Sequence, residues 1–453
     1  MSEVIAAIST GLVRSAIGIL RMSGNGCIEV ADRVFSAQNG KPLTQAKAHT
    51  LILGQLCDEY GRVIDQCVAV IARAPHSYTG EDTCELQCHG SPAMLTAGLR
   101  SLFAAGARQA GPGEFTRRAF LNGKMDLTQA EAVIDLIDAE TADAAANAAG
   151  QVGGAMLRKI DPIYNDLTDI CSHFHAVLDY PDEDIEEFEL HRFGGTLRED
   201  VRQLDALLSS FSRGRHLKNG IKAAILGKPN AGKSSLLNAL CGYDRVIVTE
   251  IAGTTRDTVE ETVTLGRHLL RLLDTAGIRE TADEIERMGV VRAEQAAHEA
   301  ELAIFVCDAS RPLTEEDMRA MDAALAAPRA VAVLNKTDLP AVVQPSDLPF
   351  EFIIPTCAKQ AEGLDLLEQA LDMIFTDDVP CDGSILTNAR QADAVLRAAN
   401  ALRAAMASMD AGMTPDAVLV DVESAMLALG EVTGRTMRED ITNRIFERFC
   451  VGK

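Results

Sequence analysis

The run Gly227-Lys228-Pro229-Asn230-Ala231-Gly232-Lys233-Ser234 has the spacing of a phosphate cradle. Glycines at its two ends let successive backbone N–H groups turn toward an anion, the lysine reaches terminal phosphates, and the hydroxyl ligates Mg2+. Apolar "AAIL" precedes it and "SLLNAL" follows, so the run lies between a strand and a helix, the context this chemistry needs. Asn230, Ala231, Gly232, Lys233, Ser234 and Ser235 are therefore candidates for nucleotide contact, with Ser234 on the metal.

Downstream, "LLRLLDTAG" is an apolar strand ending in Asp274-Thr275-Ala276-Gly277. Asp274 can hold Mg2+ through water, and the Gly277 N–H can meet a γ-phosphate. Between the two motifs lies a switch candidate, Thr249, Glu250, Ile251, Ala252, Gly253, Thr254 and Thr255, in which Thr255 offers a second hydroxyl to the metal. The base is set by "AVAVLNKTD", which ends in Asn335-Lys336-Thr337-Asp338. Guanine presents N1–H and a 2-amino group that the Asp338 carboxylate accepts together, whereas adenine would leave that carboxylate unpaired. A further apolar run, "FEFIIP", leads to Cys357, Ala358 and Lys359, where the Ala358 N–H is placed to meet guanine O6. Four ordered motifs at strand ends specify GTP. Ile278 stands where many GTPases carry a water-positioning glutamine, so another group must orient the water and neutralise the γ-phosphate.

A chain of 453 residues holds two or three domains, and 47% hydrophobic content with a mean hydropathy of +0.04 reads as globular and soluble. No apolar run approaches the roughly 20 residues of a membrane span. The opening "MSEVIAAISTGLVRSAIGILRMSG" lacks the plan of a signal peptide and is expected to belong to the mature fold. A net charge of −23 repels free nucleic acid, and 4% aromatics with no Trp argue against a base-stacking sheet. The 11 scattered cysteines are expected to be reduced thiols in a cytoplasm.

The elements that position these motifs follow from periodicity. Residues 1–118 mix strands ("CVAVIARAP", "TCELQCHG") with a helix ("SPAMLTAGLRSLFAAGA"), an α+β domain. Residues 119–216 are helical, with a capping box expected from Thr128 and Glu131 and a solvated acidic loop at "DYPDEDIEEFEL". Residues 217–378 alternate strand and helix as a parallel α/β domain, and 379–453 are helical again. Helices on both sides of an α/β unit imply one helical domain carrying an insertion.

In "CELQCHG", Cys84, Leu86 and Cys88 share one strand face, and Glu85, Gln87 and His89 share the other. The thiols therefore read as core; a zinc set of Cys84, Cys88 and His89 is the sharper alternative, which the alternation opposes. "CSHFH", Cys171 to His175, reads as packing plus surface, with metal ligation as its alternative. The terminal "CVGK" has the outline of a prenylation box, but Gly452 and Lys453 do not suit one.

"GILRMSG", "YTGEDTCELQCHG", "GPGEFTRRAFLNGKMDLTQAEAVIDLIDA", "GKPNAGKSSLLNAL", "VTEIAGTTRD", "DTAGIRE" and "CVGK" together closely resemble the tRNA-modification GTPase MnmE (TrmE) family over nearly the whole chain. The resemblance implies an N-terminal folate-binding, dimer-forming domain and a discontinuous helical domain with an inserted Ras-like P-loop G domain. It implies G domains that pair across K+, ligated by the Asn230 side chain with oxygens around Thr249, Ile251 and Thr254, and a water oriented by Glu286. It places 5-formyl- or 5,10-methylene-tetrahydrofolate on Arg21, Glu85, Lys124 and Lys453, and makes Cys450 a candidate nucleophile toward uridine. Paired pterin donors suit a carboxylate such as Glu85, and an anionic glutamate tail suits Arg21 or Lys124. A packed or idle tail thiol is the alternative for Cys450.

The activity implied is GTP hydrolysis coupled to adding an aminomethyl or carboxymethylaminomethyl group at C5 of wobble uridine 34. The homodimer would form a heterotetramer with the flavoprotein MnmG, which carries FAD and most of the grip on tRNA, in the cytoplasm and away from membranes. Two segments depart from the family: "STGLVRSA" replaces a Thr-Pro-x-Gly-x-Gly run, and Cys357 replaces a usual serine. The competing reading is a regulatory or ribosome-assembly GTPase whose N-terminal domain is an interaction module; folate binding separates the two.

Overall fold

A computed structural model describes residues 3–179, 187–243, 261–273, 295–375, 380–436, 439–447 and 449–452. The chain forms two compact units: Met1–Ile134 with Val152–Asp184 and Gly412–Lys453, and Asp135–Gln151 with Ile185–Ala411. The helical segments are thus shared between both.

The first unit is built on a seven-stranded sheet. Its strands are β1 (Ile5–Ile8), β2 (Ser15–Ser23), β3 (Phe35–Ala37), β4 (Ile52–Cys57), β5 (Val63–Ala72), β6 (Thr83–Gly90) and β7 (Arg108–Gln109), in the order β3-β4-β5-β6-β2-β1-β7. Alternation decides which face is covered. Leu20 and Met22 on β2, Cys67, Ala69 and Ile71 on β5, and Cys84, Leu86 and Cys88 on β6 are buried with Ile28, Leu95 and Leu102 of the helices Cys27–Asp32 and Pro92–Ala104. Each buried leucine, isoleucine or methionine among them contributes roughly 1.5–3 kcal/mol relative to exposure. His89 is turned away from the cysteines, with Nδ1 2.7 Å from Asp65 Oδ1. The opposite face is mixed: Ile5 and Ala7 of β1 are buried there with Phe115, and it also carries Arg21 and Glu85, which the β2–β6 register sets directly across from one another.

The helix Leu127–Ile137 corrects one expectation: its cap is two residues earlier than Thr128 and Glu131 suggest. Asp126 Oδ1 accepts the Gln129 N–H and Gln129 Oε1 accepts the Asp126 N–H, each at 3.0 Å, while Thr128 and Glu131 are buried inside the helix. Asp-x-x-Gln forms the same reciprocal box, and its position leaves Leu127 and Ala130 to face the core. In this unit the helix Ala155–Asp179, which carries Cys171 to His175, packs along Pro415–Thr433. Cys171 is buried there, and exposed His175 pairs with Glu423 at 3.0 Å.

The second unit holds a six-stranded sheet of β8 (Ile221–Leu226), β9 (Glu261–Leu265), β10 (His268–Leu272), β11 (Leu302–Asp308), β12 (Ala330–Asn335) and β13 (Phe352–Thr356), in the order β13-β12-β11-β8-β10-β9. All pairs are parallel except the edge hairpin β9–β10. Both faces are covered, which is why β11 reads as an unbroken apolar run, buried from Leu302 to Cys307. Leu236, Leu237 and Leu240 of the helix Lys233–Tyr243 lie on one face with Leu367 and Leu371 of Leu364–Phe375; Met321 and Ala324 of Glu315–Leu325 lie on the other. From β8 the chain runs to β9 and β10 on one side and returns to β11 on the other. The carboxyl ends of β8 and β11 therefore frame a switch-point crevice, where ligands bind in such sheets.

The helix Glu187–Ser209 packs on Ala389–Asp410, and the return segment is strapped to the helix Ala142–Val152. Asn147 Oδ1 accepts the Gly383 N–H at 3.1 Å, and Gln151 Nε2 donates to Ile385 O at 2.7 Å. No helix among the described residues is long and apolar enough to cross a membrane.

Candidate functional site

Four strand ends build the candidate nucleotide site. β8 stops at Leu226, and the loop Gly227–Gly232 turns into the helix that starts at Lys233. Two of its glycines are required sterically. Gly227 has φ +151° and a Cβ there would stand 2.3 Å from Val306 O; Gly232 has φ +105° and a Cβ would stand 1.9 Å from Asn335 Nδ2. Asn230 occupies the left-handed region at φ +62°, which asparagine tolerates better than most residues, and its side chain is exposed. Lys233 Nζ donates to Gly227 O at 2.6 Å and to Lys228 O at 2.9 Å, so the ammonium is held across the mouth of the loop. Burial pulls its pKa down, and an incoming phosphate would relieve that cost. Ser234 and Ser235 are exposed at the first turn of the helix.

β12 supplies the clamp. Asn335 Nδ2 donates to Ala231 O at 3.0 Å, and Asn335 Oδ1 accepts the Ala358 N–H at 3.1 Å. One side chain thereby joins the phosphate loop to the turn after β13. The Ala358 N–H, assigned above to guanine O6, is satisfied within the protein in this structure. Lys336, at φ +67°, sends Nζ to Asn230 O at 3.0 Å and to Asp308 Oδ2 at 2.6 Å. Asp338 is exposed, and the buried Cys357 thiol donates to its Oδ1 at 3.4 Å. Lys359 is exposed.

Sequence reasoning missed two acidic residues. Asp308 ends β11, and Asp317 holds Lys228 of the phosphate loop at 2.6 Å while closing the capping box with Thr314. An aspartate at the end of an apolar strand was the available signal for Asp308, the same one that drew attention to Asp274. Thr249, Glu250, Ile251, Ala252, Gly253, Thr254, Thr255, Asp274, Thr275, Ala276, Gly277, Ile278, Glu286 and Lys453 lie outside the described residues.

The first unit carries a second candidate site on the mixed face of its sheet. A cavity of about 360 Å³ is lined by His49, Val70, Ala72, His76, Ser77, Tyr78, Thr83, Glu85 and Lys124. Glu85 is set by Arg21, whose Nε donates to Oε1 at 2.8 Å. The Arg21 guanidinium is packed between Tyr78 and Phe115, 5.7 and 5.8 Å from their ring centres. Arg21 thus orients Glu85, and Glu85 and Lys124 are the two candidates that line the cavity. Lys124 Nζ donates to Pro75 O at 3.1 Å. His49, His76 and Tyr78 were not singled out from sequence; only Tyr78 lay in a quoted motif.

The tail is docked within the same unit. Phe449 is buried against Phe446, Gly113 N–H donates to Cys450 O at 3.2 Å, and Ser9 Oγ donates to Gly452 O at 3.0 Å. Gly452 has φ +101°, and a Cβ would meet Ile8 O at 2.4 Å. The backbone around Cys450 is fixed while its thiol stays exposed.

Comparison with known proteins covers the whole chain. Residues 4–124 match the family model described as the GTP-binding protein TrmE N-terminus, and residues 127–450 match that of the MnmE helical domain. The chain is 40% identical to the tRNA modification GTPase MnmE of Thermoanaerobacter pseudethanolicus and 41% identical to that of Symbiobacterium thermophilum, in each case over 100% of this chain and 99% of the relative. Among solved structures, Era of Aquifex aeolicus bound to GDP·AlF4− aligns with 40% of this chain and 66% of its own at 27% identity and a TM-score of 0.26. That partial likeness bears no weight beside the full-length relatives.

Proposed function

The chain belongs to the tRNA modification GTPase MnmE family, and from that membership we propose that it couples GTP hydrolysis to modification of wobble uridine 34 at C5. It is a GTPase acting in tRNA modification. The finer reading is a transfer of an aminomethyl or carboxymethylaminomethyl group, with the one-carbon unit taken from methylene-tetrahydrofolate. The homodimer would work with the flavoprotein MnmG, which brings FAD and most of the tRNA contact, in the cytoplasm. The net charge of −23 supports that division of labour, because this chain has little electrostatic means to hold tRNA alone.

The observation that carries the reading is the pairing, in one chain, of a clamped guanine-nucleotide site with the carboxylate-floored cavity at Glu85. In the nucleotide site, the Gly227–Gly232 backbone receives phosphate, Lys233 answers its charge, and Asp338 selects guanine. Ser234 and Thr255 would hold Mg2+, with Asp274 acting through water. Asn230 is exposed, its amide oxygen would be a hard donor suited to K+, and Thr249, Ile251 and Thr254 would complete that shell. A monovalent cation there would supply positive charge to the phosphates. Glu286 would orient the water. In the cavity, Glu85, held by Arg21, would accept the pterin donors while Lys124 and Lys453 face the anionic tail, and a volume of about 360 Å³ suits a small-molecule site. Cys450 would act as nucleophile toward uridine. The division into 1–118, 119–216, 217–378 and 379–453 is likewise proposed as the working domain plan.

The test is deletion of the gene in its host, followed by mass spectrometry of wobble uridines. Loss of the C5 substituent, restored by the wild-type gene, is the expected result. Intact modification in a host with no second such enzyme would favour a regulatory or ribosome-assembly role.

A further inference from the structure

Asp308 is a buried acid at the switch-point crevice with no role in the motif set. It ends β11, its side chain is 3% exposed, and both of its oxygens are committed. Oδ1 accepts the Ser310 N–H at 3.0 Å and the Ser310 hydroxyl at 2.6 Å; Oδ2 accepts Lys336 Nζ at 2.6 Å. The same Nζ donates to Asn230 O at 3.0 Å. Lys336 and Asn230 both stand in the left-handed region, at φ +67° and +62°. Such a backbone is disfavoured for a side chain like that of Lys336 and persists only where its surroundings over-determine it. Here the surroundings meet at one ammonium, and Asp308 is the charge that holds it. Burial works against ionised Asp308, but Lys336 and Ser310 outweigh burial and keep its carboxyl below the ordinary range.

We propose that Asp308 is a positioning residue of the nucleotide site, which through Lys336 fixes the Asn230 carbonyl and so joins base recognition to the cation-carrying turn of the phosphate loop. Two consequences follow. Guanine-nucleotide affinity depends on Asp308 although it lies outside every motif. Potassium affinity depends on it too, because displacement of the Asn230 backbone moves the side chain that would ligate the ion. The second consequence rests on the potassium reading above; the first does not.

The experiment is binding of N-methylanthraniloyl-GDP in sodium buffer, together with GTP turnover titrated with K+, on the full chain. Asp308→Asn keeps the shape and removes the charge. It should weaken GDP by at least about tenfold, the size expected for a hydrogen bond to a charged group. It should also raise the K+ needed for half-maximal turnover by roughly fivefold, with the rate at saturating K+ within about twofold of wild type. In a Lys336→Ala background the same substitution should change GDP affinity by less than about twofold, since the two act as one unit. Wild-type GDP affinity in Asp308→Asn, or a full additional loss on top of Lys336→Ala, overturns the proposal. Should Asp308→Asn fail to fold, Lys336→Met decides: it removes the ammonium and keeps the stem, and wild-type GDP affinity in that variant overturns the proposal equally. A wild type indifferent to K+ would refute the potassium reading and leave the GDP arm to judge Asp308.

Discussion

Asn335 and Ala231 are joined by a single hydrogen bond, Nδ2 to carbonyl oxygen at 3.0 Å, that spans 104 positions of sequence. Through it the base-recognition strand sets the shape of the phosphate loop, and Gly232 must be glycine because Asn335 Nδ2 fills the place of its Cβ. The site therefore responds to changes as one object rather than as separate motifs.

Asp338→Asn tests the base. An amide offers one acceptor and one donor group where guanine needs two acceptors, so GTP affinity should fall by at least about 100-fold. Xanthosine triphosphate, whose C2 oxygen accepts from the new amide, should gain. Competition of both nucleotides for the labelled GDP site measures this; unchanged preference for GTP would remove Asp338 from base recognition.

Cys357 bears on the same carboxylate. Its thiol is a weak donor to Asp338 Oδ1 at 3.4 Å, and a hydroxyl is a stronger one. Cys357→Ser should tighten GDP binding by about two- to fivefold and Cys357→Ala should loosen it by a similar factor, on the order of 0.5–1 kcal/mol. Equal affinity in all three proteins would show that the thiol does not position Asp338.

Glu85→Gln tests the cavity of the first unit. The amide keeps the volume but loses the charge that Arg21 orients, so affinity for 5-formyl-tetrahydrofolate should drop by at least about tenfold in calorimetry. GTP turnover without tRNA should be unaffected. Undiminished folate binding would place the ligand elsewhere.

Acid should loosen the first unit through Glu114. Burial raises its pKa, but Arg108, the Gly111 N–H and Arg118 together outweigh burial and bring it down to about 2 from 4.5. The folded-state value lies below the unfolded one, so this contribution is complete above about pH 4.5 and is lost as pH falls toward 2. Glu114→Gln should lower the urea midpoint of unfolding at pH 7, by about 1–3 kcal/mol in stability, and flatten the acid limb between those pH values. A wild-type acid limb in the variant would assign the loss to other carboxylates.

How far sequence alone reaches can be argued from these residues. The phosphate loop and Asn335-Lys336-Thr337-Asp338 are legible because each is contiguous and its chemistry is fixed by spacing. The burial of Cys84, Leu86 and Cys88 is legible because strand period is local. The Arg21–Glu85 pair is not, since it depends on the register of β2 against β6, which no local pattern supplies. The partner of Asp308 is hidden for the same reason: it arrives from the neighbouring parallel strand, where Asp308 and Asn335 are in register. The misplaced cap at Thr128 has a different cause. Thr-x-x-Glu and Asp-x-x-Gln overlap in "DLTQAE", and only the demand to bury Leu127 and Ala130 chooses between them.

The central claim is that a potassium ion on Asn230 supplies positive charge to the phosphates during GTP hydrolysis. Steady-state GTP turnover of the purified chain, in K+ and in Na+ at equal ionic strength, with wild type and Asn230→Ala side by side, tests it most directly. The account predicts at least about tenfold faster turnover in K+ for the wild type, with that advantage gone in Asn230→Ala. Equal wild-type rates in the two salts, or a potassium advantage that survives the substitution, would contradict it.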